Sequence, residues 1–337
     1  MKVKNLDRII SIGPAFFPLK MGEIKREKKP LFIMMSGIPG SGKSTKAKKF
    51  AKFFDKIAVL STDDYREKIT GNVNDLSRDE EVFDAIYKDM RKFLIEKKSV
   101  IYDATNMNIK DRRRALEAVS GINCYKISHL MNVDFKECKK RNSQRDRVLP
   151  EEVLYKFLYK FELPTKLEGF DLISLENYSA DTVSTSWFDL YFEKMSGFNQ
   201  KTKWHKHNLL PHCIIAYDYL KSKEKEENKE YDWSLLQAAR IHDIGKLYTG
   251  QKKEDGDYSY HNHANVGAYD LICNMPYGNL EDNEKFFDIV FYVNHHMRVH
   301  NWETERIKNK YRKKFGEKYF ENLLLLNEAD LFASGRE

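Results

Sequence analysis

The chain has 337 residues, of which 41% are hydrophobic and 32% charged, and its formal net charge is +7. This length predicts two domains, and the apolar fraction is sufficient for folded cores. The sequence contains no apolar run of membrane-spanning length and no C-x-x-C pair among its four cysteines, which argues against a membrane protein, a disulfide framework or a zinc ribbon. We therefore expect a cytoplasmic protein, whose lysine excess suits nucleic acid but is also common in other soluble proteins.

Residues 1–29 form an N-terminal extension without a readable pattern, and from 30 to 177 strand and helix patterns alternate. Such alternation predicts an α/β domain with a parallel sheet covered by helices on both faces. The predicted strands are Leu31–Ser36, Ile57–Ser61, Ser99–Tyr102, Cys124–Leu130 and Asp171–Leu175. The predicted helices begin near Lys46, span Glu80–Ile95 and Lys110–Val119, and begin after an N-cap at Asp134.

The first strand runs into a loop that matches the phosphate-binding pattern G-x-x-x-x-G-K-[ST] at every fixed position. Glycines let the backbone turn its N–H groups toward a polyphosphate, Lys43 adds a mobile charge, and the Ser44 hydroxyl can hold Mg²⁺. A glycine-rich turn with a chance lysine is the alternative, but the flanking strand and helix favour binding of ATP or GTP. The residues predicted to bind ATP are Gly37, Pro39, Gly40, Ser41, Gly42, Lys43, Ser44 and Thr45.

The second strand ends in Ser61-Thr62-Asp63-Asp64-Tyr65-Arg66, beside the predicted phosphate loop. Asp63 is placed to take a proton from an acceptor hydroxyl, and Arg66 to hold a second phosphate on that acceptor. The alternative is that Asp63 caps a helix beginning at Tyr65. Further on, Arg141 and Arg145 are four residues apart and would share one helical face. They form either a solvated surface or a lid whose guanidinium groups stabilise the transferred phosphoryl group.

The second half of the sequence differs in texture from the first. Residues 178–199 read as a linker, and after 200 strand patterns vanish. The predicted helices are Leu209–Leu220, Leu235–Ile244, His263–Cys273, Phe286–His296 and Tyr319–Phe332. Nine of the ten histidines lie between 205 and 300.

Several of these histidines, with two aspartates, fall on separate predicted helices. In chain order these residues are His212, His242 and Asp243, His263, His295 and His296, and Asp330. A single histidine in an apolar helix is usually a core or surface residue, but helices that turn such a series inward can build a metal site in a bundle core. The first position is the least certain, because His205 and His207 are nearby; apolar neighbours favour His212.

Over residues 30–177 the sequence resembles the 5′-hydroxyl polynucleotide kinases of bacteriophages and bacterial RNA repair systems. The resemblance lies in Gly37–Thr45, Thr62–Arg66, Asp103–Asn106, Lys140–Arg145 and the segments Pro150–Val153, Phe161–Pro164 and Glu168–Asp171. It implies that Lys43 and Ser44 handle ATP and Mg²⁺, and that Asp63 is the general base on the 5′-OH. It also implies that Arg66 contacts the acceptor's 3′-phosphate and that Arg141 and Arg145 are lid arginines. Asp103 is either linked to Mg²⁺ and substrate or purely structural.

Over residues 200–333 the sequence resembles the HD phosphohydrolase superfamily, especially the HD domain attached to CCA-adding tRNA nucleotidyltransferases. The shared features are His263–Ala268, His295-His296-Met297 and Ala329-Asp330. The resemblance implies core metal ligands at His212, His242, Asp243 and Asp330, and ligands of a second metal at His263 and at His295 or His296. It also implies that Lys246 contacts substrate phosphate. Nitrogen-rich ligation favours Mn²⁺, Ni²⁺, Co²⁺ or Fe²⁺ over Mg²⁺.

Together the two resemblances imply a bifunctional RNA repair enzyme that heals broken ends, RNA or DNA. The kinase would phosphorylate 5′-OH ends and the HD domain would process 2′,3′-cyclic phosphate or 3′/2′-phosphate ends, before a separate ligase seals them. One alternative is a small-molecule or nucleotide kinase fused to an HD nucleotide phosphohydrolase. Another is a non-catalytic, ATP-gated RNA-binding protein whose metal is structural.

Overall fold

The computed structural model describes residues 29–52, 56–176, 187–203, 206–274 and 280–335. The N-terminal extension up to residue 28, the linker residues 178–186 and His205 lie outside the described residues. The chain divides into two compact units. The first comprises Met1–Phe157 and Pro164–Tyr178, and the second comprises Leu158–Leu163 and Ser179–Glu337.

The first unit is built on a five-stranded sheet whose strands are all parallel. Its strands are Leu31–Ser36 (β1), Ile57–Ser61 (β2), Ser99–Asp103 (β3), Tyr125–Leu130 (β4) and Leu172–Leu175 (β5), in the order β2-β3-β1-β4-β5. Every residue of β1 is buried. Because successive side chains of a strand point to opposite faces, both faces of the sheet are covered at its centre. The predicted parallel sheet with flanking helices is confirmed.

Six α-helices accompany this sheet in the described residues. They are Lys43–Ala51 (α1), Thr62–Thr70 (α2), Asp79–Ile95 (α3), Ile109–Ala118 (α4), Phe135–Ser143 (α5) and Glu151–Leu158 (α6). Helix α3 buries Val82, Ile86, Met90 and Leu94, a stripe at spacing four that packs toward β2 and β3. The Asp134 carboxylate accepts the N–H groups of residues 136 and 137, so the predicted N-cap is confirmed.

The second unit is mainly helical in the described residues. Its α-helices are Trp187–Met195 (α7), Leu209–Glu226 (α8), Trp233–Ala239 (α9), Lys246–Thr249 (α10), His263–Cys273 (α11), Leu280–His295 (α12), Glu305–Phe315 (α13) and Glu317–Ser334 (α14). A short 3₁₀ segment, His296–Asn301, follows α12. None of the helices among the described residues combines the length and apolar character needed to cross a membrane.

Two expectations for this half of the chain were wrong. Strands do occur, because Gln251–Lys252 (β6) and Tyr258–Ser259 (β7) pair as an antiparallel hairpin. Its turn contains Gly256 at φ +84°, a backbone conformation that glycine adopts without steric cost. The predicted helix Leu235–Ile244 ends at Ala239, after which residues 240–245 form turns held by i to i−3 hydrogen bonds.

Six residues from within the range predicted for the kinase domain pack in the second unit. In this segment, Leu158–Leu163, Phe161 and Leu163 are fully buried. The Leu163 N–H donates to Asn294 Oδ1 at 2.8 Å, and Asn294 Nδ2 donates to the Phe161 carbonyl at 3.1 Å. Asn294 thereby holds the segment against the end of α12, two residues before His296.

Candidate active sites

The phosphate loop lies between β1 and α1, as its sequence predicts. The Lys43 ammonium donates to the carbonyls of Gly37 and Ile38 at 2.8 and 3.0 Å, which folds the side chain back under the loop. Gly40 has φ +87°, and a Cβ there would lie 2.3 Å from the Cys138 carbonyl oxygen. Only glycine fits this close approach. The eight residues predicted to bind ATP all lie in this loop or the first turn of α1: Gly37, Pro39, Gly40, Ser41, Gly42, Lys43, Ser44 and Thr45.

Lys43, Ser44 and Asp103 form the charged centre of this loop. Burial lowers the pKa of Lys43 to about 8, while the neighbouring Asp103 carboxylate opposes that shift. Burial raises the pKa of Asp103, and a hydrogen bond from the Ser44 side chain lowers it. Ser44 is exposed, and Asp103 is 5% exposed. The centre therefore pairs a cation for phosphate with a hydroxyl and a carboxylate of the kind that Mg²⁺ prefers.

Asp63 and Arg66 lie in the first two turns of α2 and contact each other. The helix begins at Thr62 with Ser61 as its N-cap, so the alternative in which Asp63 caps the helix is wrong. Asp63 Oδ1 accepts from Arg66 at 3.1 Å and from Arg147 at 3.4 Å. Arg66 is 7% exposed and donates twice to Asp79 Oδ1, at 3.1 and 2.9 Å. Asp79, which the sequence motifs did not indicate, and Arg147, which follows the predicted lid arginines, thus hold the pair in place.

The two predicted lid arginines do not share a helical face. Helix α5 ends at Ser143, so Arg141 lies on it and Arg145 follows it, which corrects the expectation of an i, i+4 pair. Arg141 pairs with Glu137 at 2.7 Å and reaches the loop, its guanidinium lying 3.8 Å from where a Cβ on Gly42 would stand. Arg145 is exposed, and its charge contributes to lowering the pKa of Lys43. Both arginines are therefore beside the phosphate loop.

A series of buried hydrogen bonds links the phosphate loop to Arg112 and Glu168. The Gly37 N–H donates to the Thr105 carbonyl at 2.9 Å. The next residue, Asn106, has φ +46°, and its carbonyl accepts from Arg112 at 3.1 Å. Arg112 is fully buried and makes a bidentate pair with Glu168 at 2.8 and 2.9 Å. Arg112 was not predicted, because its partners lie far from it in sequence.

In the second unit, six side chains converge as a histidine–aspartate cluster. It consists of two groups, and within each group the ligand atoms lie within 4.8 Å of one another. The first group is His212, His242, Asp243 and Asp330, and the second is Asp243, His263 and His296. All but Asp330 are buried, and Asp243 belongs to both groups. Asp243 Oδ2 faces His212 at 3.3 Å, and its Oδ1 faces His263 at 3.0 Å. One carboxylate therefore offers one oxygen to each group, as a bridging ligand would.

The histidine tautomers suit metal binding. Nδ1 of His242, His263 and His296 lies 2.9, 2.7 and 2.8 Å from a backbone carbonyl, each three residues earlier in the chain. Since a carbonyl oxygen only accepts, each Nδ1 carries a proton, which leaves Nε2 as the ring atom that can bind a metal. His263 Nε2 and His296 Nε2 nevertheless face each other at 3.1 Å. Converging lone pairs and buried carboxylates are a donor set that fits divalent cations.

Burial and contacts between charged groups set the pKa values in the cluster. Burial alone would raise the pKa of Asp243, but Lys246 and His242 hold it well below its usual range. Burial would likewise lower the pKa of His212, yet hydrogen bonds to Asp243 and Asp330 raise it to about 9. Burial lowers the pKa of His296 to about 4, which keeps this imidazole neutral.

The other predicted residues of this half have different surroundings. His295 packs its ring on Phe315, and its Nδ1 accepts from Arg298 at 2.9 Å, so His296 and not His295 joins the cluster. Lys246 is buried, with Nζ 2.5 Å from Asp243 Oδ2 and 2.8 Å from the side-chain oxygen of Gln200. His207 is exposed, and His205 lies outside the described residues.

Two glycines bring the parts of the cluster together. A Cβ on Gly245 would lie 2.0 Å from the His263 carbonyl oxygen and 2.7 Å from the Gly267 N. A Cβ on Gly267 would lie 2.9 Å from the Gly245 N. The turn that carries His242 and Asp243 can therefore lie directly against α11, which carries His263. In the sequence each of these glycines lies close to a predicted ligand motif. Their contact could not be predicted, however, because the two glycines lie far apart in the chain.

The cluster opens into a pocket of about 250 Å³ in the second unit. Asp243, Lys246, His263 and Asp330 form its inner end. Its outer part is lined by hairpin residues 253 and 258–261, by Met297 and His300, and by the end of α14. A ligand can therefore reach the buried carboxylates and Lys246 from solvent.

Comparisons with known proteins cover mainly the first unit. Residues 32–164 match the AAA_33 family model, described as an AAA domain. A curated relative, the L-seryl-tRNA(Sec) kinase of Methanococcus maripaludis, is 28% identical over 152 residues, which are 42% of this chain and 56% of the relative. The chain thus spans little more than half the length of that relative.

Among solved structures, the Pnkp1/Rnl/Hen1 RNA repair complex contains a chain that is 22% identical, with a TM-score of 0.38, over 47% of this chain and 51% of the other. A chain from the PezAT toxin–antitoxin system of Streptococcus pneumoniae is 16% identical, with a TM-score of 0.33, over 56% of this chain and 88% of the other. The family match and the geometry of the phosphate loop make the first unit a P-loop kinase-like domain, and they imply the use of ATP.

Proposed function

We propose that this protein heals broken nucleic acid ends, preferring RNA to DNA. The observation that supports the proposal is that one chain combines a phosphate loop with a buried histidine–aspartate cluster that fits divalent cations. The first unit combines a phosphate loop with the carboxylates Asp63 and Asp103, and the second has the buried histidine–aspartate cluster. A kinase and a phosphoesterase of this kind repair the two ends left by many ribonucleases, and a separate ligase would then join them.

At the 5′ end the reaction is phosphoryl transfer from ATP to a hydroxyl. The acceptor oxygen forms a bond to the γ-phosphorus as the bond to the β–γ bridging oxygen breaks, and Asp63 takes the hydroxyl proton. Lys43 neutralises charge on the β- and γ-phosphates, and Arg141 and Arg145 stabilise charge on the transferred group. Ser44, with Asp103 behind it, would hold Mg²⁺, which supplies electrostatic stabilisation of the phosphates.

An RNA-borne acceptor is supported by the curated relative, whose name is that of a kinase acting on L-seryl-tRNA(Sec). The Asp63 side chain is 48% exposed, so its carboxylate can accept a hydrogen bond from a hydroxyl that approaches from solvent. In the structure the Arg66 guanidinium pairs with Asp63 and Asp79. The acceptor's 3′-phosphate would replace one of these carboxylates as the partner of Arg66.

At the 3′ end the proposed reaction is hydrolysis of a phosphoester. His212, His242, Asp243 and Asp330 would hold one divalent ion, and Asp243, His263 and His296 a second, with Mn²⁺, Ni²⁺, Co²⁺ or Fe²⁺ preferred. Such ions polarise phosphoryl oxygens and lower the pKa of water. Water adds to phosphorus, one ribose oxygen leaves, and the proton passes to that oxygen. Lys246, at the inner end of the pocket, would bind the phosphate.

One observation favours a second candidate, a kinase for small molecules or nucleotides joined to a nucleotide phosphohydrolase. Arg66 already has two carboxylate partners, and a small acceptor without a second phosphate would leave them in place. The two candidates differ in their acceptors. If the protein heals RNA ends, an RNA with a 5′-OH and a 3′-phosphate next to the acceptor nucleoside should be phosphorylated far better than a free nucleoside.

The acceptor preference is tested by comparing such an RNA with the nucleoside in wild type and in Arg66→Ala. End healing predicts that Arg66→Ala lowers kcat/KM for the RNA more than for the nucleoside, because the contact of Arg66 with Asp63 serves both acceptors and a contact with the 3′-phosphate would serve only the RNA. Equal loss on both acceptors, or a nucleoside preference in wild type, would establish the small-molecule candidate instead.

A further inference from the structure

The outer part of the pocket carries two tyrosines on one face of the β6–β7 hairpin. Tyr258 and Tyr260 are two residues apart, so their side chains point the same way. Their rings are nearly parallel, with centroids 6.5 Å apart and an interplanar angle of 27°. Both are half-buried, and both line the pocket. The pocket therefore has an aromatic wall beside its charged end.

Contacts on both sides of the wall fix its position. The Tyr260 hydroxyl donates to the Gln200 carbonyl, and the Lys246 ammonium lies 5.9 Å from the Tyr260 ring centroid. The Tyr258 N–H donates to the Lys201 carbonyl at 3.1 Å, and Lys201 Nζ lies 5.5 Å from the Tyr258 ring centroid. Tyr260 thus stands next to the phosphate end of the pocket, and Tyr258 stands farther out on the same face.

The 3₁₀ segment His296–Asn301 also lines the pocket. It contributes Met297, which is 39% exposed, and the exposed His300. A thioether, an imidazole and two tyrosine rings lining one pocket are side chains that suit a flat, polarisable ring. The charged inner end suits a phosphate, and Lys253 adds a cation on the hairpin side. A nucleotide carries both a flat ring and a phosphate.

We propose that Tyr258 and Tyr260 form a stacking platform for the base of the 3′-terminal nucleotide, whose phosphate lies at the histidine–aspartate cluster. This inference rests on the proposed function and extends it, because it assigns the residues that choose the substrate class. Stacking is tolerant of base identity, since every base has a π-face. The platform would select ends that carry a base over simple phosphoesters without favouring one sequence.

The test compares two RNAs with a 2′,3′-cyclic phosphate end, one with a terminal base and one with an abasic terminal ribose. Tyr258→Leu should raise KM for the base-bearing end roughly 5- to 150-fold, the range expected for loss of one base–aromatic stack, and leave the abasic end unchanged. Tyr258→Phe and Tyr258→Trp should retain the wild-type KM. Tyr248→Leu is the matched control, because this tyrosine is 45% exposed and does not line the pocket.

Equal effects of Tyr258→Leu on both RNAs, or no effect on either, would overturn the platform. A second measurement separates this failure from failure of the proposed function. Binding of uridine 3′-monophosphate and of inorganic phosphate to the full chain with Mn²⁺ is measured by calorimetry. The platform predicts tighter binding of the nucleotide, an advantage lost in Tyr258→Leu and kept in Tyr258→Phe, even if no RNA end is hydrolysed. Loss of 3′-end hydrolysis with this advantage intact would refute the end-healing function alone, and absence of the advantage would refute the platform.

Discussion

Replacing Gly245 by alanine should separate the two halves of the histidine–aspartate cluster. The new Cβ would lie 2.0 Å from the His263 carbonyl oxygen, whereas real Cβ atoms essentially never approach an atom closer than 3.0 Å. The obstructing atom belongs to the backbone of α11, so α11 must move away from the turn after α9 by about 1 Å. Metal–ligand distances tolerate only about 0.2 Å, so the displacement would uncouple His263, which lies on α11, from Asp243 and His296.

The magnitude follows from this displacement. The group His212, His242, Asp243 and Asp330 does not involve α11 and should keep its ion, so the bound metal should fall from two ions per chain toward one. Overpacking of this kind typically costs about 1–3 kcal/mol of the free energy of unfolding. For a unit of this size, that cost corresponds to a fall in Tm of roughly 2–12 °C.

The assay combines elemental analysis after dialysis against Mn²⁺ with calorimetric melting. Gly267→Ala is a graded comparison, because its Cβ would lie 2.9 Å from the Gly245 N and needs a smaller shift. Gly121→Ala in the first unit is the control: its φ is +75°, nothing lies within 4 Å of a Cβ there, and metal content should not change. Two ions per chain and an unchanged Tm in Gly245→Ala would refute the reasoning.

Three further predictions concern the loop support, the proposed base and the bound metals. Glu168→Gln leaves the fully buried Arg112 without a charged partner, and urea unfolding should show that the free energy of unfolding falls by about 3–5 kcal/mol. The exposed Glu151→Gln should cost less than about 1 kcal/mol. Equal losses in the two variants would contradict the role of Arg112 and Glu168 in supporting the loop. Asp63→Asn should lower kcat for 5′ phosphorylation about 10²- to 10⁴-fold with ATP affinity retained, as measured by steady-state kinetics and nucleotide titration; an unchanged kcat would exclude Asp63 as the base. Chelation should lower the Tm of the second unit and leave that of the first, because the ions stabilise only the fold that binds them; a Tm that does not respond would count against the metal site.

The sequence predicted best the features whose residues are local. The phosphate loop needs only nine consecutive residues between a strand and a helix, so its motif and its place in the fold could be read together. The strands of the sheet were predicted to within about one residue at each end, because buried parallel strands are short continuous apolar runs. In the structure Gly40 is required by the close approach of the Cys138 carbonyl, and Lys43 folds back onto the carbonyls of Gly37 and Ile38.

Features that depend on distant contacts could not be predicted from the sequence. The turn at residues 240–245 reads as helix in the sequence, and its close contact with Gly267 is long-range. The segment Leu158–Leu163 shows no sign in its own sequence of packing against Asn294. The hairpin was missed although Asp255-Gly256 before Tyr258 is a turn signal, because the surrounding helical patterns dominated.

The most direct test of the account uses one RNA strand with a 5′-OH and a 2′,3′-cyclic phosphate, incubated with ATP, Mg²⁺ and Mn²⁺. Both ends of the product are resolved for wild type, Lys43→Ala and Asp243→Ala. The account predicts that wild type changes both ends, that Lys43→Ala abolishes only 5′ phosphorylation, and that Asp243→Ala abolishes only 3′ processing. Wild-type enzyme that leaves both ends unchanged while it phosphorylates a small acceptor would contradict the account.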